Sequence, residues 1–361
     1  MDGIMSNVLQ ILDYAAPYRG NFIPSMEAIE EQYNSGNMVY LFPDNAATLS
    51  WMMDFLKSHR TYFMPLSFYG KRIKWSNLEL LNEIIKKEAI SIIHCHFVTY
   101  NYTLFFARYT IARHCKYICH IHNQFVVPKT KFAPLKRYIM RHLYDMYIGV
   151  SAAAAESVRA EIGKNNIIAI PNAVDFQRLD KYGLLNLREH EAQKVVLMAG
   201  WPAYVKGVDI AVRAVKQLRE QGIDVVLGIM LSGDFDKTEK YIVETIGEMP
   251  TWCKLLPPRE DVATYYNACD IFLSASRSEG FSYCIVEAAY CNLRIISSDI
   301  PGPNQLDIPD MVLFENENVN QLVLVLNRMF NNDKSINRSV ICQTYDMLKW
   351  VKQMIYSYEV V

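Results

Sequence analysis

The chain has 361 residues, about the length of two average domains. Hydrophobic residues make up 51% and charged residues 21%, which excludes a largely disordered protein. The formal net charge is −1, so no overall basic excess indicates nucleic acid as a partner.

This near-neutral charge conceals an asymmetry between the two halves. Residues 1–165 carry 18 Lys and Arg against 13 Asp and Glu, while the remainder carries 19 against 25. Between Asn101 and Asp145 there are eight basic residues and a single acid. Opposite charges in the two halves predict two domains with different partners.

The sequence carries no recognisable export or membrane-spanning signal. Asp2 stands where a signal peptide has basic residues, and no run of about 18 apolar residues occurs. Eight scattered cysteines in such a chain are typical of reduced thiols. We therefore expect a cytoplasmic protein.

Short apolar runs alternate with amphipathic stretches along the first half. Buried strands are predicted for five of these runs, which are NVLQILDY, MVYLFP, SIIHCHF, YICHIH and MYIGVS. Apolar residues at three- and four-residue spacing predict helices over residues 25–34 and 77–88. The alternation predicts a parallel sheet with helices on both faces.

The second half repeats this scheme after a break at residues 171–182, PNAVDFQRLDKY. Strands are predicted for VVLMAG, DVVLGIML, KLLPP, DIFLSAS and RIISSD, with helices over residues 208–221 and 262–268 and near Cys284–Cys291. The α/β prediction is two Rossmann-like domains facing across a cleft. The first covers residues 1–172 and the second residues 173–339, and the helix from residue 340 to 361 packs back on the first.

The segment SRSEGFSYCIVEAAYCN combines a strand end, a turn at Gly280 and a helix start near Ser282. The free backbone N–H groups of such a helix N-terminus suit a phosphate or diphosphate. Glu287 falls about one turn inside the helix, where its carboxylate suits a ribose diol, and Glu279 in the loop suits a second group of hydroxyls. An ordinary strand–turn–helix with two solvated acids is the alternative.

This Glu-x7-Glu pattern within EGF-x4-EA resembles the signature of glycosyltransferase family 4, retaining nucleotide-sugar enzymes with the GT-B fold. AGWPAYVKGVDIAVRAV, IAIPNAVDF and RIISSDIPGPNQL resemble further family segments. SIIHCHF, YICHIHNQF and MYIGVS resemble strands of the family's first domain. The resemblance therefore covers most of the chain.

The resemblance implies a role for each matching residue. Glu287 would hold the ribose, and Glu279 would contact the transferred sugar. The backbone N–H groups of Phe281, Ser282 and Tyr283, after the turn at Gly280, would hold sugar hydroxyls or phosphate oxygens. Lys206 would neutralise the diphosphate, Gly20 in YRGNF would let the backbone approach it, and His122 would lie near the reacting sugar.

The sequence also departs from the family pattern. Trp201 stands where the family usually has an Arg, so one diphosphate cation is absent there, with Arg259 or Arg19 as candidate substitutes. The loop at Gly20 lacks the usual glycine pair, and Ser282 and Asn292 replace frequent glycines.

We expect a hexosyltransferase that moves sugar, with retention, from a UDP- or GDP-linked donor to a glycan or lipid-linked acceptor, in bacterial surface polysaccharide or glycolipid assembly. A weakly active or non-catalytic sugar-nucleotide-binding partner, and a nucleotide-sugar epimerase, are the alternatives. The resemblance implies no cofactor and no metal. Asp234 and Asp236 are interpreted as part of a solvated turn.

Two further segments have competing interpretations. HCKYICHIH is rich in metal-ligand residue types, but strand alternation places Cys119 opposite His120 and His122, so we expect no convergent zinc site and a packing role for His120. The stretch from Lys129 to Arg141 interleaves basic and aromatic residues. It is either a solvated helix face or a peripheral contact with an anionic membrane.

Overall fold

The computed structural model describes residues 6–70, 72–330 and 338–361, so Asp2 lies outside the described residues. The chain divides into two compact units. The first comprises Met1–Ala173 together with Met347–Val361, and the second comprises Val174–Asp346.

Both units are built of alternating strands and helices. The strands are β1 (Asn7–Leu12), β2 (Met38–Pro43), β3 (Arg60–Met64), β4 (Ile90–His96), β5 (Lys116–Ile121), β6 (Met146–Gly149), β7 (Ile167–Ala169), β8 (Lys194–Ala199), β9 (Val225–Met230), β10 (Cys253–Leu256), β11 (Ile271–Ser274), β12 (Arg294–Ser298) and β13 (Val312–Phe314). The helices are α1 (Phe22–Gln32), α2 (Met52–Ser58), α3 (Leu66–Tyr69), α4 (Trp75–Lys87), α5 (Tyr102–Tyr109), α6 (Ala133–Leu143), α7 (Ala152–Ile162), α8 (Val208–Glu220), α9 (Phe235–Ile246), α10 (Ala263–Tyr266), α11 (Tyr283–Tyr290), α12 (Val319–Phe330), α13 (Arg338–Thr344) and α14 (Met347–Val360).

The first unit contains a seven-stranded sheet in the order β3-β2-β1-β4-β5-β6-β7. All six strand pairings are parallel. Every residue of β1 and β2 is buried, as their continuous apolar sequences predict for strands covered on both faces. The order reverses between β1 and β4, which is the kind of switch point where open parallel sheets bind ligands.

The second unit contains a six-stranded parallel sheet in the order β10-β9-β8-β11-β12-β13. Its apolar core includes the buried face of α8, where Val208, Ala211, Val215 and Leu218 are fully buried. Here the strand order reverses between β8 and β11. The carboxyl ends of these two strands lead into the loops that carry Lys206 and Glu279.

The C-terminal segment divides differently from the prediction. We expected residues 340–361 to pack on the first domain, but α13 belongs to the second unit and Met347–Val361 to the first. Ile341 of α13 is fully buried, and the Tyr345 ring lies 5.8 Å from that of Phe281. In α14, Val351 and Met354 are fully buried in the core of the first unit, so apolar contacts place the two helices in different units.

The two Rossmann-like sheets confirm the predicted α/β class, and strands form at all ten predicted apolar runs. Three short strands, β3, β7 and β13, were not predicted. The first residue of β3, Arg60, is exposed and charged, and β7 and β13 have only three residues each, so their apolar runs are shorter than those of the predicted strands. In the described ranges, no helix combines the length and apolar character needed to cross a membrane.

Candidate functional site

A tight loop between β8 and α8 places Lys206 at the carboxyl edge of the second sheet. The Lys206 backbone N–H donates to the Pro202 carbonyl at 2.9 Å, and the Val208 N–H donates to the Ala203 carbonyl at 3.0 Å. These bonds fold residues 202–208 into consecutive turns. Lys206 is thereby held at the start of α8 by its own backbone.

Gly207 is required by this loop for two reasons. Its φ of 68° lies in the left-handed region, which disfavours residues with a side chain. A Cβ at this position would also lie 1.9 Å from the Ala275 carbonyl oxygen. The Lys-Gly pair in the sequence therefore reflects close contact between the loops that follow β8 and β11.

The loop after β11 holds Glu279 through a short polar chain. Ser298 Oγ donates to the Ser276 carbonyl at 2.6 Å, and Ser276 Oγ donates to Glu279 Oε1 at 2.9 Å. Gly302 supports the same loop with a φ of 101°, and a Cβ there would lie 2.5 Å from the Glu279 carbonyl oxygen. The Pro-Gly segment therefore packs directly against the loop that contains Gly280, which is itself buried.

Lys206 Nζ donates a hydrogen bond to Glu279 Oε1, forming an ion pair. The side chains are 22% and 11% exposed, so the pair is partly screened from water. Burial is the largest single influence and lowers the pKa of Lys206, but the nearby Glu279 and Cys284 outweigh it and leave the pKa raised. Lys206 is therefore a cation at neutral pH, next to an acid.

The helix α11 begins at Tyr283 with Ser282 as its N-cap, which confirms the predicted helix start. The Ser282 side chain makes no capping hydrogen bond to the first turn. Phe281 is 7% exposed, and its ring lies 5.2 Å from that of Tyr283. The first-turn amides of a helix lack intrahelical partners, so this turn presents positive potential.

Glu287 is 3% exposed and both of its oxygens have protein partners. Tyr266 OH donates to Oε2 at 2.7 Å, and Arg178 forms an ion pair with Oε1. Burial lowers the pKa of Arg178, yet the charge of Glu287 and the Tyr266 contact leave it raised. The carboxylate is thus held in a fixed orientation by one cation and one hydroxyl.

The thiol of Cys284 lies close enough to both ion pairs for their charges to affect its pKa. Burial raises the pKa of its thiol to about 11, and the charges of Glu287, Lys206 and Glu279 also act on it. Because these charges act on a residue in the first turn of α11, both pairs lie around that turn. The second unit therefore brings together Lys206, Glu279 and Glu287.

The other two predicted residues lie in the first unit. Gly20 precedes α1 and has a φ of 57°, with Asn21 as the N-cap. His122 directly follows β5, and its ring stacks on Phe97 at a centroid distance of 4.1 Å. Burial lowers the pKa of His122 well below its usual value, so the imidazole is neutral.

Three histidines of the first unit converge, contrary to our prediction. His94, His96 and His120 each offer a ring nitrogen within 4.8 Å of the others. Strand alternation does separate the thiol of Cys119 from these rings, but it does not separate the histidines. The strands β4 and β5 are neighbours, and the register places His96 beside His120. His94, two residues before His96, points to the same face of the sheet, so the three rings lie close together.

Both proposed substitutes for the missing arginine are already engaged. Arg259 makes two hydrogen bonds to Asp261, at 2.8 and 2.7 Å, and Arg19 is paired with Glu27. Trp201 itself packs partly buried against the apolar core of the second unit. Asp234 caps α9, accepting from the Lys237 N–H at 3.3 Å, in line with the turn interpretation.

Three residues that contact the predicted acids were not predicted from the sequence: Arg178, Tyr266 and Ser276. Arg178 lies near the start of the second unit and Tyr266 ends the four-residue helix α10, so neither stands in a motif with Glu287. Ser276, three residues before Glu279, offered the clearest signal, since a hydroxyl so near a loop carboxylate can donate to it.

Two family profiles match the chain, one for each half. The profile described as "Glycosyltransferase Family 4" matches residues 38–178, and that described as "Glycosyl transferases group 1" matches residues 186–342. Together they span most of the chain and include every predicted site residue except Gly20.

The chain is similar to proteins that are named for sugar transfer to phosphatidylinositol. The Saccharomyces cerevisiae phosphatidylinositol N-acetylglucosaminyltransferase GPI3 subunit is 29% identical over 230 residues, 59% of this chain and 50% of that protein. A Homo sapiens phosphatidylinositol N-acetylglucosaminyltransferase chain is 26% identical over 67% of this chain and 51% of its own. The chain thus spans about half the length of these relatives.

Solved structures resemble the chain over nearly its whole length. A glycosyltransferase from Rickettsia africae has a TM-score of 0.77 at 17% identity and covers 98% of both chains. Anabaena HepE in complex with UDP-glucose has a TM-score of 0.77 at 16% identity, covering 98% of this chain and all of its own. At these identities the likeness concerns the fold.

Proposed function

The chain belongs to glycosyltransferase family 4, and from that premise we propose that it transfers a hexosyl group, with retention, from a nucleotide-diphosphate sugar to an acceptor hydroxyl. The observation that carries the proposal is the Lys206–Glu279 pair at the first turn of α11. It combines a cation for a leaving diphosphate, amides for its oxygens and a carboxylate for sugar hydroxyls.

The reaction breaks the bond between the anomeric carbon and the phosphate oxygen and forms a bond from that carbon to the acceptor oxygen. Negative charge grows on the departing phosphate. Lys206 and the amides of Ser282 and Tyr283 stabilise this charge in a partly dehydrated site. The acceptor's proton passes to the leaving phosphate. Because Lys206 and the amides supply positive charge at the diphosphate, the proposed transfer uses no divalent metal ion there.

Glu279 orients the sugar in this proposal rather than attacking it. Its Oε1 accepts from Lys206 and Ser276, and these bonds lower the nucleophilicity of that oxygen. A carboxylate retains further lone pairs for sugar hydroxyls. His122, neutral and at a strand end, donates or accepts a hydrogen bond at the sugar.

Glu287 binds the ribose of the nucleotide. A carboxylate oxygen can accept more than one hydrogen bond, so we propose that a vicinal diol binds Glu287 beside Tyr266 and Arg178. Anabaena HepE is described in complex with UDP-glucose, which makes UDP the first nucleotide to test, before GDP.

The acceptor is a glycan or a lipid-linked molecule. Among the neighbours, the lipopolysaccharide outer core galactosyltransferase WaaB has a TM-score of 0.67 at 18% identity, and the yeast and human relatives are named for phosphatidylinositol. We place the reaction in the assembly of a bacterial surface polysaccharide or glycolipid, at the inner face of the membrane.

Exposed groups on and before α6 support peripheral membrane contact. Lys129, Lys131 and Phe132 are exposed, as are Leu135 and Tyr138. Arg137, by contrast, is paired with Glu161. The double variant Lys129→Glu/Lys131→Glu should lose binding to vesicles containing anionic lipid, whereas Lys86→Glu/Lys87→Glu on α4 should not. If the two double variants bind the vesicles equally well, the segment from Lys129 to Tyr138 is not the membrane-contacting surface.

A catalytically weak sugar-nucleotide-binding partner is the second candidate. It is favoured by Trp201 in place of the usual arginine, together with the engagement of Arg259 by Asp261. Such a protein would bind a donor without turning it over.

A donor panel tests the proposal directly. UDP-, GDP- and ADP-sugars are supplied with and without glycan and lipid-linked acceptors, and nucleotide release is measured alongside donor binding. Acceptor-dependent release with a product of unchanged anomeric configuration supports retaining transfer. Binding without turnover on any acceptor favours the partner protein, and inversion at the sugar contradicts retention.

A further inference from the structure

The first unit contains a buried cluster of histidines that the proposed transfer reaction does not explain. His94, His96 and His120 are 0%, 0% and 1% exposed. One ring nitrogen of each lies within 4.8 Å of those of the other two. Burial lowers the pKa of all three, that of His120 to about 3, so the rings are neutral.

Several ring nitrogens in this cluster have no partner. His94 Nε2 and both nitrogens of His120 are buried without a hydrogen bond. A buried polar atom left unpaired costs about 1–3 kcal/mol, so native proteins rarely keep several together. The unpaired nitrogens belong to residues whose rings already converge, which points to a ligand that accepts lone pairs.

The remaining nitrogens have partners that would orient the rings toward such a ligand. His96 Nε2 donates to Gln10 Oε1 at 3.0 Å, which leaves a lone pair on its Nδ1. His94 Nδ1 lies 2.9 Å from Tyr358 OH, and Gln10 Nε2 donates to the same hydroxyl at 2.8 Å. Histidines that bind metals characteristically use the other ring nitrogen in this way.

We propose that His94, His96 and His120 bind a divalent transition-metal ion, with Zn²⁺ as the expected occupant. Neutral imidazoles are the ligands this ion prefers among nitrogen donors, with Zn–N distances of about 2.0–2.1 Å. Tetrahedral coordination requires ligand nitrogens about 3.3 Å apart. Small rotations of the three side chains would bring nitrogens that now lie within 4.8 Å of one another to this separation. His122 Nε2 lies 3.1 Å from His96 Nδ1, and an ion bound at His96 would replace this contact.

The ion would join elements that are distant in sequence. Its ligands come from β4 and β5, while the supporting Gln10 and Tyr358 come from β1 and α14. Binding would therefore tighten the C-terminal helix onto the sheet of the first unit. This role is separate from the proposed glycosyl transfer, whose charged residues lie in the second unit.

Metal binding by the full chain tests the proposal without any activity assay. Protein freed of metal with a chelator is titrated with Co²⁺, and visible d–d absorption is recorded. We expect one equivalent with the strong bands of tetrahedral coordination, displaced by Zn²⁺, and a higher melting temperature with Zn²⁺. A wild-type protein that gives neither bands nor a shift in melting temperature overturns the proposal.

Two variants and a matched control locate the ion. His120→Gln removes a ligand and should weaken Co²⁺ binding at least 100-fold, while the exposed His142→Gln on α6 should leave it unchanged. Tyr358→Phe keeps all three ligands but removes a supporting hydroxyl, and a 10–100-fold loss is expected. Wild-type affinity in His120→Gln would show that the ion binds elsewhere.

Discussion

Lys206 donates a hydrogen bond to Glu279 across two loops that are 73 residues apart in the sequence. One loop follows β8 and the other follows β11, and these strands are adjacent in the sheet. The cation that we propose for a diphosphate and the acid that we propose for a sugar are thus paired in the absence of substrate. A departing phosphate would bind Lys206 while Glu279 still accepts its hydrogen bond. Glu279 would thereby hold the ammonium group in position.

Removing the positive charge of Lys206 should impair the chemical step more than donor binding. We expect Lys206→Met to lower kcat about 10²–10³-fold, the usual cost of losing one group that stabilises developing charge. The exposed Lys240→Met in α9 serves as control, measured by the same nucleotide-release assay.

Lys206→Met also leaves the largely buried Glu279 carboxylate without its cation, which lowers stability. The double variant Lys206→Met/Glu279→Gln should recover much of that thermal stability while remaining inactive. Activity returning with stability would mean that the single variant merely unfolds, and the assignment of Lys206 to catalysis would be wrong.

Glu287 and its partner Arg178 should control donor affinity. Glu287→Gln weakens two charge-assisted hydrogen bonds to ribose hydroxyls, each worth roughly 1.5–3 kcal/mol. We expect the donor KM to rise about 10–100-fold with a smaller change in kcat. Arg178→Met, which frees the carboxylate to move, should produce a shift in the same direction.

The exposed Glu244→Gln in α9 is the matched control for this pair of variants. Binding of the nucleotide, followed by calorimetry, separates affinity from turnover. An unchanged nucleotide affinity in Glu287→Gln would remove Glu287 from the donor site.

Gly207 and Gly222 allow a steric effect to be separated from backbone strain. Both have a positive φ, 68° and 84°, so alanine is strained at each. A Cβ at Gly207 would lie 1.9 Å from the Ala275 carbonyl oxygen, whereas nothing lies within 4 Å of one at Gly222. We expect Gly207→Ala to cost at least about 2 kcal/mol more than Gly222→Ala in denaturant unfolding. Equal costs would contradict the close contact.

His59 gives the first unit a defined dependence on pH. Burial is the largest influence and lowers the pKa of His59, but Glu27 and Glu30 outweigh it and raise it from 6.5 to about 9. Arg19 pairs with Glu27, and the adjacent Tyr40 has its pKa raised well above 10 by burial, so it stays neutral.

Because the folded pKa of His59 exceeds the unfolded value, the stabilisation is fully present below pH 6.5 and disappears as the pH rises through 9. The shift in pKa corresponds to at most about 3.5 kcal/mol of stability. The apparent melting temperature should fall over this range in the wild type. His59→Gln should show a flatter profile, and an equally steep one would assign the dependence to other groups.

The sequence alone was sufficient for much of the fold because alternating apolar runs and amphipathic stretches are local patterns. It determined ten strands, the start of α11 at Tyr283 and the Glu279–Glu287 spacing. Each depends on residues close together in the chain, where periodicity and turn preference act directly. It did not determine β3, whose residues are partly exposed at the sheet edge.

Only the tertiary structure decided which distant side chains meet. Arg178 and Tyr266 reach Glu287 from separate elements, and no spacing in the sequence relates the three. Alternation along a single strand correctly separates Cys119 from His120, but it carries no information on which strands are neighbours, and β4 pairs with β5. Strand order depends on packing across the whole sheet, which is why the cluster of His94, His96 and His120 emerged only from the fold.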